Sequence, residues 1–545
     1  MRIRLCYLSL LLLLTGRIHA AGDVSRYLPT PGLRPLSTQA SIAPARGADL
    51  VLEAPEAFAV PAEGPEQVRS FVVPIEKLTK STYVEAIQLT PSTSPGSVVS
   101  HAMIRLDASL ESRKADAADP GPGFANHPHY SGVRRPTSLV AGWTPFAQVI
   151  TSAPSVWRIF PDSDLVVTCT IKPNGKAVEV RPKLSLWFAA QAPSPHVVTL
   201  RLSNEAISVP PGSDDTSARD TFILPVNAKL LAVYPDANHW TQTIRLDLTG
   251  PRSEKGEPVA ERLFDIADWE NGQQEWYRFE TPVEIARGSR LDLQIRYANA
   301  DGGKEVHWGP RPEDERGELY LAFSTGSEAE LYDLLKMASV HQLALAIEGA
   351  EAKGMDDLPS HVQLAKLYCD FGQTETAIAH GLKAVSLNAE NAEAHAALGA
   401  AYVTQNRDFS AQEHLEKALQ LNPDLADAHY NLGNVFLRYG VAEKAFKAYE
   451  MAVKLDPRDV RFANNLGHLL MQKDQNDKAE VIFAQIVDRN PFHAPSTANL
   501  ARIKEMKGDK AAALELYRRA VTLAPAMKPT LQPLIVRAEQ ELQKK

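Results

Sequence analysis

Ala428-His429-Tyr430-Asn431-Leu432-Gly433-Asn434-Val435-Phe436 decides the reading of this chain, because its Leu-Gly word returns at one interval. Leu364-Ala365, Leu398-Gly399, Leu432-Gly433, Leu466-Gly467 and Leu500-Ala501 stand 34 residues apart. Thirteen residues after each leucine comes Ala377, Ala411, Ala445, Ala479 or Ala513, small enough for two helices of one unit to approach closely. Twenty residues after it stand Ala384, Ala418, Ala452, Ile486 and Ala520. Pro423, Pro457, Pro491 and Pro525 close the units, with Ala389 in that place once, since proline cannot continue a helix. An ordinary helical bundle does not hold one spacing at four positions.

The pattern resembles the tetratricopeptide repeat, a helix-turn-helix unit that stacks into a superhelix. The resemblance covers five units, residues 358–527. Before them Leu331, Leu334, Leu335, Met337, Leu343, Leu345 and Ile347 have helical spacing, so residues 326–357 are expected as a helical connector. Residues 528–545 repeat no motif and end in charges, as a terminal capping helix should.

At the other end, Arg2 and Arg4 precede the apolar run Leu5–Leu14 and the small residues Ala20-Ala21. This predicts a secretory signal over residues 1–21, a Pro- and Ser-containing linker over 22–47, and a periplasmic or extracellular protein with no membrane insertion after cleavage. Cleavage leaves Cys169 and Cys369, in regions of opposite secondary-structure character, so no disulfide framework is expected. A net charge of -8 with no basic stripe excludes nucleic acid as a partner.

Between these ends the texture is β. Leu165–Ile171, Val178–Phe188, Val197–Leu202, Thr243–Thr249 and Leu291–Tyr297 read as strands, several alternating apolar and polar residues as in Ile244-Arg245-Leu246-Asp247-Leu248. Many short strands with almost no helical period between them predict antiparallel sandwiches. The fold class is therefore multidomain: two antiparallel, jelly-roll-like β-sandwiches over 48–195 and 196–325, then an all-α superhelix.

The β region resembles the copper type II, ascorbate-dependent monooxygenases, the family of peptidylglycine α-hydroxylating monooxygenase, in a bacterial form. The stretches that carry the likeness include Val60–Pro65, Val98–Asp107, Asp119–Phe124, Gly142-Trp143-Thr144-Pro145, Pro161–Lys176, Thr221–Val226, Asp265–Phe279 and Trp308-Gly309. The family implies two coppers, one on three histidines and one on two histidines and a methionine. Those positions fall here on Ser100, His101 and Thr170, and on Asp236, Asn238 and Leu319, so only His101 is retained. Imidazole and thioether suit copper in both oxidation states, whereas hydroxyl, carboxamide and isobutyl groups do not. The expectation is a non-catalytic relative without cofactor. Copper belongs only to the alternative of a hydroxylase with an altered site drawing on His101, His127, His129 and His239. Pairing Asp236 with Asp162 or Asp164 as acid and base has no support from spacing.

The resemblance places the first helix of each repeat on the concave face. The residue before each key leucine runs Gln363, Ala397, Asn431, Asn465, Asn499. A carboxamide ladder can pair with the backbone of an extended peptide, and can equally hydrogen-bond locally between helices. Tyr430, Asn434, Arg461, Asn464, His468 and Arg502 are expected beside the ladder, a mixture suited to a polar or acidic segment. Glu413, Glu416 and Lys417 on a second helix read as a solvated face. The sequence thus predicts an exported interaction protein that binds an unidentified protein or peptide. A structural role in an envelope assembly is the further alternative.

Overall fold

A computed structural model describes residues 33–35, 44–76, 78, 82–92, 98–107, 111–124, 139–143, 150–151, 157–159, 161, 163–190, 197–250, 260–269, 274–300, 302–309, 314–352, 354, 357–457, 459–490 and 493–543. The expected signal at 1–21 lies outside the described residues, as do Asp162, His127 and His129.

In the first β unit, Gln67–Pro74, Asp164–Ile171, Val99–Asp107 and Leu139–Trp143 form one antiparallel sheet in that order. The second sheet runs Leu50–Glu53, Val178–Phe188, Thr82–Ser92, Ile150–Thr151. Val73, Ile104 and Val167 of the one meet Leu52, Val84, Leu184 and Leu186 of the other in a shared core. Asp164–Ile171 is buried at every position, so its side chains do not alternate between core and solvent.

The second unit pairs a five-stranded sheet with a four-stranded one. The first runs Leu33–Pro35, Tyr277–Ile285, Ala228–Asp236, Glu318–Thr325, Val197–Ser203. The other runs Thr216–Ile223, Arg290–Tyr297, Thr241–Thr249, Ala260–Ala267. Within the expected linker at 22–47, Leu33–Pro35 pairs with Tyr277–Phe279 and buries Leu33 in this core.

Helix α1 (Glu111–Ala118) packs on the first unit, and α2 (Glu328–Ala352) follows the last strand. Ten helices then alternate: α3 (Leu358–Asp370), α4 (Thr374–Leu387), α5 (Ala392–Thr404), α6 (Asp408–Leu421), α7 (Ala426–Arg438), α8 (Ala442–Leu455), α9 (Val460–Gln472), α10 (Asn476–Arg489), α11 (Ala494–Met506) and α12 (Lys510–Leu523). A last helix, α13 (Lys528–Gln543), covers the open end through Leu531, Ile535 and Ala538.

Repeats two to five are each built on a small residue facing a large one, whereas repeat one sets Ala365 against Gly381. Added Cβ atoms at Gly399, Gly433 and Gly467 would lie 2.7 Å from Leu415, 2.5 Å from Tyr449 and 2.8 Å from Phe483. The equivalent pair in the fifth repeat, Ala501 with Tyr517, is fully buried. The first helix then ends on a residue in the left-handed region: Gly372, Asn406, Gly440, Asp474 and Gly508, with φ from 57° to 84°. Glycine, asparagine and aspartate tolerate that conformation best, so this turn also repeats every 34 residues.

Helix α2 ties the repeats to the β region. Leu331, Leu334 and Ala338 enter the second core, whereas Met337, expected on the same stripe, is exposed. Gln342 Nε2 donates to the Arg201 carbonyl at 2.9 Å, and His341 Nε2 meets Asp220 at 2.9 Å. A Cβ at Gly349 would stand 2.8 Å from Glu205 Cβ.

Small-to-large substitution opposite Tyr449 tests the packing rule. Gly433→Val is expected to cost about 1–3 kcal/mol by overpacking, read as a lower urea midpoint for loss of helical circular dichroism. Gly433→Ala should cost less than valine but still destabilise, because its Cβ would fall 2.5 Å from the buried Tyr449 ring, a clash only partly offset by the preference of about 1 kcal/mol for alanine over glycine in a helix.

Candidate functional site

On the first helices of the first four repeats, side-chain size falls and then rises. Repeat two offers Ala396, Ala400 and Val403, while repeat three offers Tyr430, Asn431 and Asn434. The difference leaves a pocket of about 140 Å³ whose lining also includes Lys366, Asp370, Asp427 and Arg461.

Charge in this pocket is largely internal. Lys366 Nζ lies 2.6 Å from Asp427 Oδ2, and Arg461 lies 2.8 Å from Asp427 Oδ1 and 2.6 Å from Asp459. Burial pushes the Asp427 carboxyl up, but Lys366 and Arg461 outweigh it and leave it below the ordinary carboxylate value. Arg461 also covers the ring of Tyr430, 5.5 Å from its centroid. Asp427 thus already occupies the position between two cations that an incoming carboxylate would take. Arg502 is exposed, with no carboxylate partner among the described residues; near it His468 is half-buried and bonded to Gln472 at 3.1 Å.

The three ladder asparagines are placed differently from one another. Asn431 is buried, and its amide donates to the Asp427 carbonyl of its own helix at 2.8 Å. Asn465 is half-buried and reaches Asn434 Oδ1 at 3.2 Å and the Tyr430 and Tyr449 hydroxyls at 3.4 Å. Asn499 donates to Asn464 Oδ1 at 3.4 Å, and Asn464 donates to Asn465 at 3.3 Å. Asn464 and Asn465 therefore join three successive first helices in one amide chain, the local bonding that asparagine here allows. Its edge remains half-exposed at Asn464, Asn465 and Asn499. A signal missed in sequence is the charge spacing of 30: Asp408–Arg438, Glu443–Lys473 and Asp477–Lys507 each pair across neighbouring repeats.

In the β region, His101, one of the positions that the monooxygenase resemblance marks, lies at the junction of the two sandwiches. His101 Nε2 is 2.5 Å from the Tyr234 hydroxyl, and both residues are buried. Gly142 makes room for that tyrosine, since a Cβ there would fall 2.4 Å from its ring. Thr170 stands opposite His101 in strand register, and Ser100 donates to the Thr170 carbonyl at 3.3 Å. Across the junction Asp236 is buried 3.8 Å from Arg316, with no hydrogen-bond partner for either carboxylate oxygen among the described residues. Asn238 donates to the Asp314 carbonyl at 2.6 Å, and Leu319 is in the core. His239 is exposed beside Trp240, and Asp164 pairs with Arg113 at 2.7 Å, so neither joins Asp236. One imidazole already bonded to a phenol, with hydroxyl, carboxylate, amide and isobutyl groups, does not fit a redox-cycling copper. Among the described residues no three His, Cys, Asp or Glu side chains are grouped to hold a metal ion.

A buried polar chain extends from this junction. Arg105 donates to the Tyr320 hydroxyl at 2.7 Å, Tyr320 to Glu318 at 2.6 Å, and Arg201 to Glu318 at 2.7 Å; Arg201 also bonds Gln342 of α2. One chain of contacts thus links the first sandwich, the second sandwich and the helix that leads into the repeats.

Burial pushes the His101 imidazole down to about 4, with Arg316 and Arg105 acting in the same direction and Asp236 against it. A histidine depressed in the folded state stabilises the fold fully above its unfolded value near 6.5, and that contribution is lost as pH falls toward 4. The expected loss is about 3 kcal/mol, read by urea unfolding of the β region along a pH series. His101→Gln should flatten the slope between those limits.

Two family models match the helical region: residues 365–406 and 410–440 match one described as TPR repeat, and residues 464–528 one described as tetratricopeptide repeat. Comparison with curated proteins gives no match. Among solved structures, YrrB, "a TPR protein with an unusual peptide-binding site", is 26% identical, covering 36% of this chain and 97% of that one at a TM-score of 0.26. PilF of Pseudomonas aeruginosa is 21% identical, covering 34% of this chain and 90% of that one at 0.27. TTC0263, a thermophilic TPR protein of Thermus thermophilus, is 18% identical, covering 34% and 100% at 0.29. The C-terminal region of this chain is a run of tetratricopeptide repeats, the architecture of a protein–protein interaction scaffold.

Proposed function

We propose that this chain captures an extended segment of a protein partner along the concave face of its repeats. The carrying observation is the pocket between repeats one and four. At about 140 Å³ it is comparable with an engineered cavity of ~150 Å³ that holds benzene, so it admits one side chain. Ala396, Ala400 and Val403 supply an apolar surface for that side chain. The half-exposed amide edge of Asn464, Asn465 and Asn499 supplies donors and acceptors for the backbone that follows it. Because Lys366 and Arg461 are neutralised by Asp427, the anchoring side chain is apolar or neutral; an acidic residue of the partner would meet Arg502 instead.

The β-sandwiches serve as a rigid support in this reading, without copper chemistry. What supports that part is the donor set at the sandwich junction, where His101 is the single imidazole among the six marked positions. The basic and apolar residues of the first 21 positions support export, with the groove working in the periplasm or outside the cell.

Peptides selected on the whole chain from a phage-displayed random library test the groove. Ala400→Phe, which fills the pocket, is expected to weaken the selected peptides at least tenfold by fluorescence anisotropy. Glu416→Phe on a second helix should leave them unchanged. Equal binding to wild type and Ala400→Phe would contradict the reading.

A further inference from the structure

We propose that the paired histidines of the first two repeats are metal sites, each taking one divalent cation of the zinc class through two imidazole Nδ1 atoms. His361 of α3 and His380 of α4 place their Nδ1 atoms 2.8 Å apart. The repeat-related His395 of α5 and His414 of α6 do the same at 3.0 Å. Each pair has the same surroundings: the first ring is buried, the second half-buried and stacked on a tyrosine, Tyr368 on His380 at 5.6 Å and Tyr402 on His414 at 5.7 Å.

A second observation concerns how the buried ring is held. His395 Nε2 lies 3.0 Å from the Ala389 carbonyl. A carbonyl only accepts, so the ring hydrogen sits on Nε2 and Nδ1 presents its lone pair to the partner ring. A backbone carbonyl on the far nitrogen is how ligating histidines are commonly oriented. The third repeat separates this device from the pair itself. His429 Nε2 makes the same bond to the Pro423 carbonyl at 2.9 Å, although α8 places Ala448 where the second histidine would stand. The carbonyl bond therefore aims the first ring on its own, and the second imidazole is an addition confined to repeats one and two.

The chemistry balances without net proton release. In the metal-free pair one hydrogen lies between the two Nδ1 atoms. A cation displaces it, and it moves to Nε2 of the half-buried ring, leaving two neutral imidazoles with both Nδ1 lone pairs on the metal. Zinc–nitrogen bonds of about 2.0–2.1 Å at a tetrahedral angle need the nitrogens roughly 3.3 Å apart. The rings of each pair now meet nearly end to end, with centroids 5.1 and 5.2 Å apart, so the half-buried ring must swing as well as withdraw for both lone pairs to converge on the ion. Water completes the coordination, since no third such ligand joins either pair among the described residues. The ion would clamp α3 to α4 and α5 to α6, the repeats that carry Lys366, Ala396 and Ala400.

The test is zinc titration of the metal-free whole chain against a chromophoric chelator, with circular dichroism melting alongside. His380→Gln and His414→Gln are each expected to remove one equivalent, and the double variant two. Saturating zinc should raise the melting midpoint of the helical region in wild type and not in the double variant. Glutamine keeps a hydrogen-bonding group, and an unchanged metal-free circular dichroism spectrum confirms that the variants fold. Cobalt substitution of wild type, with d–d absorption of nitrogen-ligated cobalt, reads the sites without mutation. Equal zinc stoichiometry in wild type and the double variant, or no saturable binding by wild type, would overturn the proposal.

Discussion

The structure depends on how closely two antiparallel helices approach within one repeat. Gly399, Gly433 and Gly467 leave no room for a Cβ opposite Leu415, Tyr449 and Phe483, so the interhelical distance is set by absence of a side chain on one helix and a large one on the other. Interiors are close-packed and felt to the level of a methylene, so repeating this contact repeats the geometry. The concave face, the ion pairs spaced by 30 residues and the two histidine pairs all inherit that periodicity. A departure in one repeat then becomes visible as function: the alanines of α5, between larger neighbours, make the pocket.

The repeats do not hang from the β region by a flexible tether. Helix α2 contributes three side chains to the second core and a glutamine to the Arg201 network, in which a single guanidinium meets Glu205, Glu318 and Gln342. Buried ionic groups are costly to desolvate, and their net contribution to stability is often small. Their effect here is geometric, because Arg201 is satisfied only when both sandwich strands and α2 are in place. The same holds at the sandwich junction, where His101, Tyr234, Arg105 and Tyr320 close the space between the two β units.

Much of this was legible in the sequence because it repeats or alternates. The period of 34, the alanines at the helix crossings, the alternating strands and the helical connector each follow from local spacing. What was not legible depends on pairing at long range. Three residues at Leu33–Pro35 carry no period, and only the edge of a distant strand makes them β. The asparagine ladder was visible as spacing, but the destinations of its amides were not: Asn431 turns to its own helix, while Asn464, Asn465 and Asn499 join one another. Arg461 reads as a free cation until Asp427, one repeat earlier, is set against it. The left-handed turn residues, Gly372 to Gly508, do repeat in the sequence and could have been found by scanning for Gly, Asn and Asp at 34-residue spacing.

The claim that the concave face is the working surface is tested most directly by photo-crosslinking in the source cell. A photoreactive amino acid placed at Asn434 or Asn464 on the first helices is compared with one at Glu416 or Glu450 on the second helices. The account predicts one discrete adduct from the concave positions and none from the others. Adducts of equal yield from both sets, or from second-helix positions alone, would contradict it.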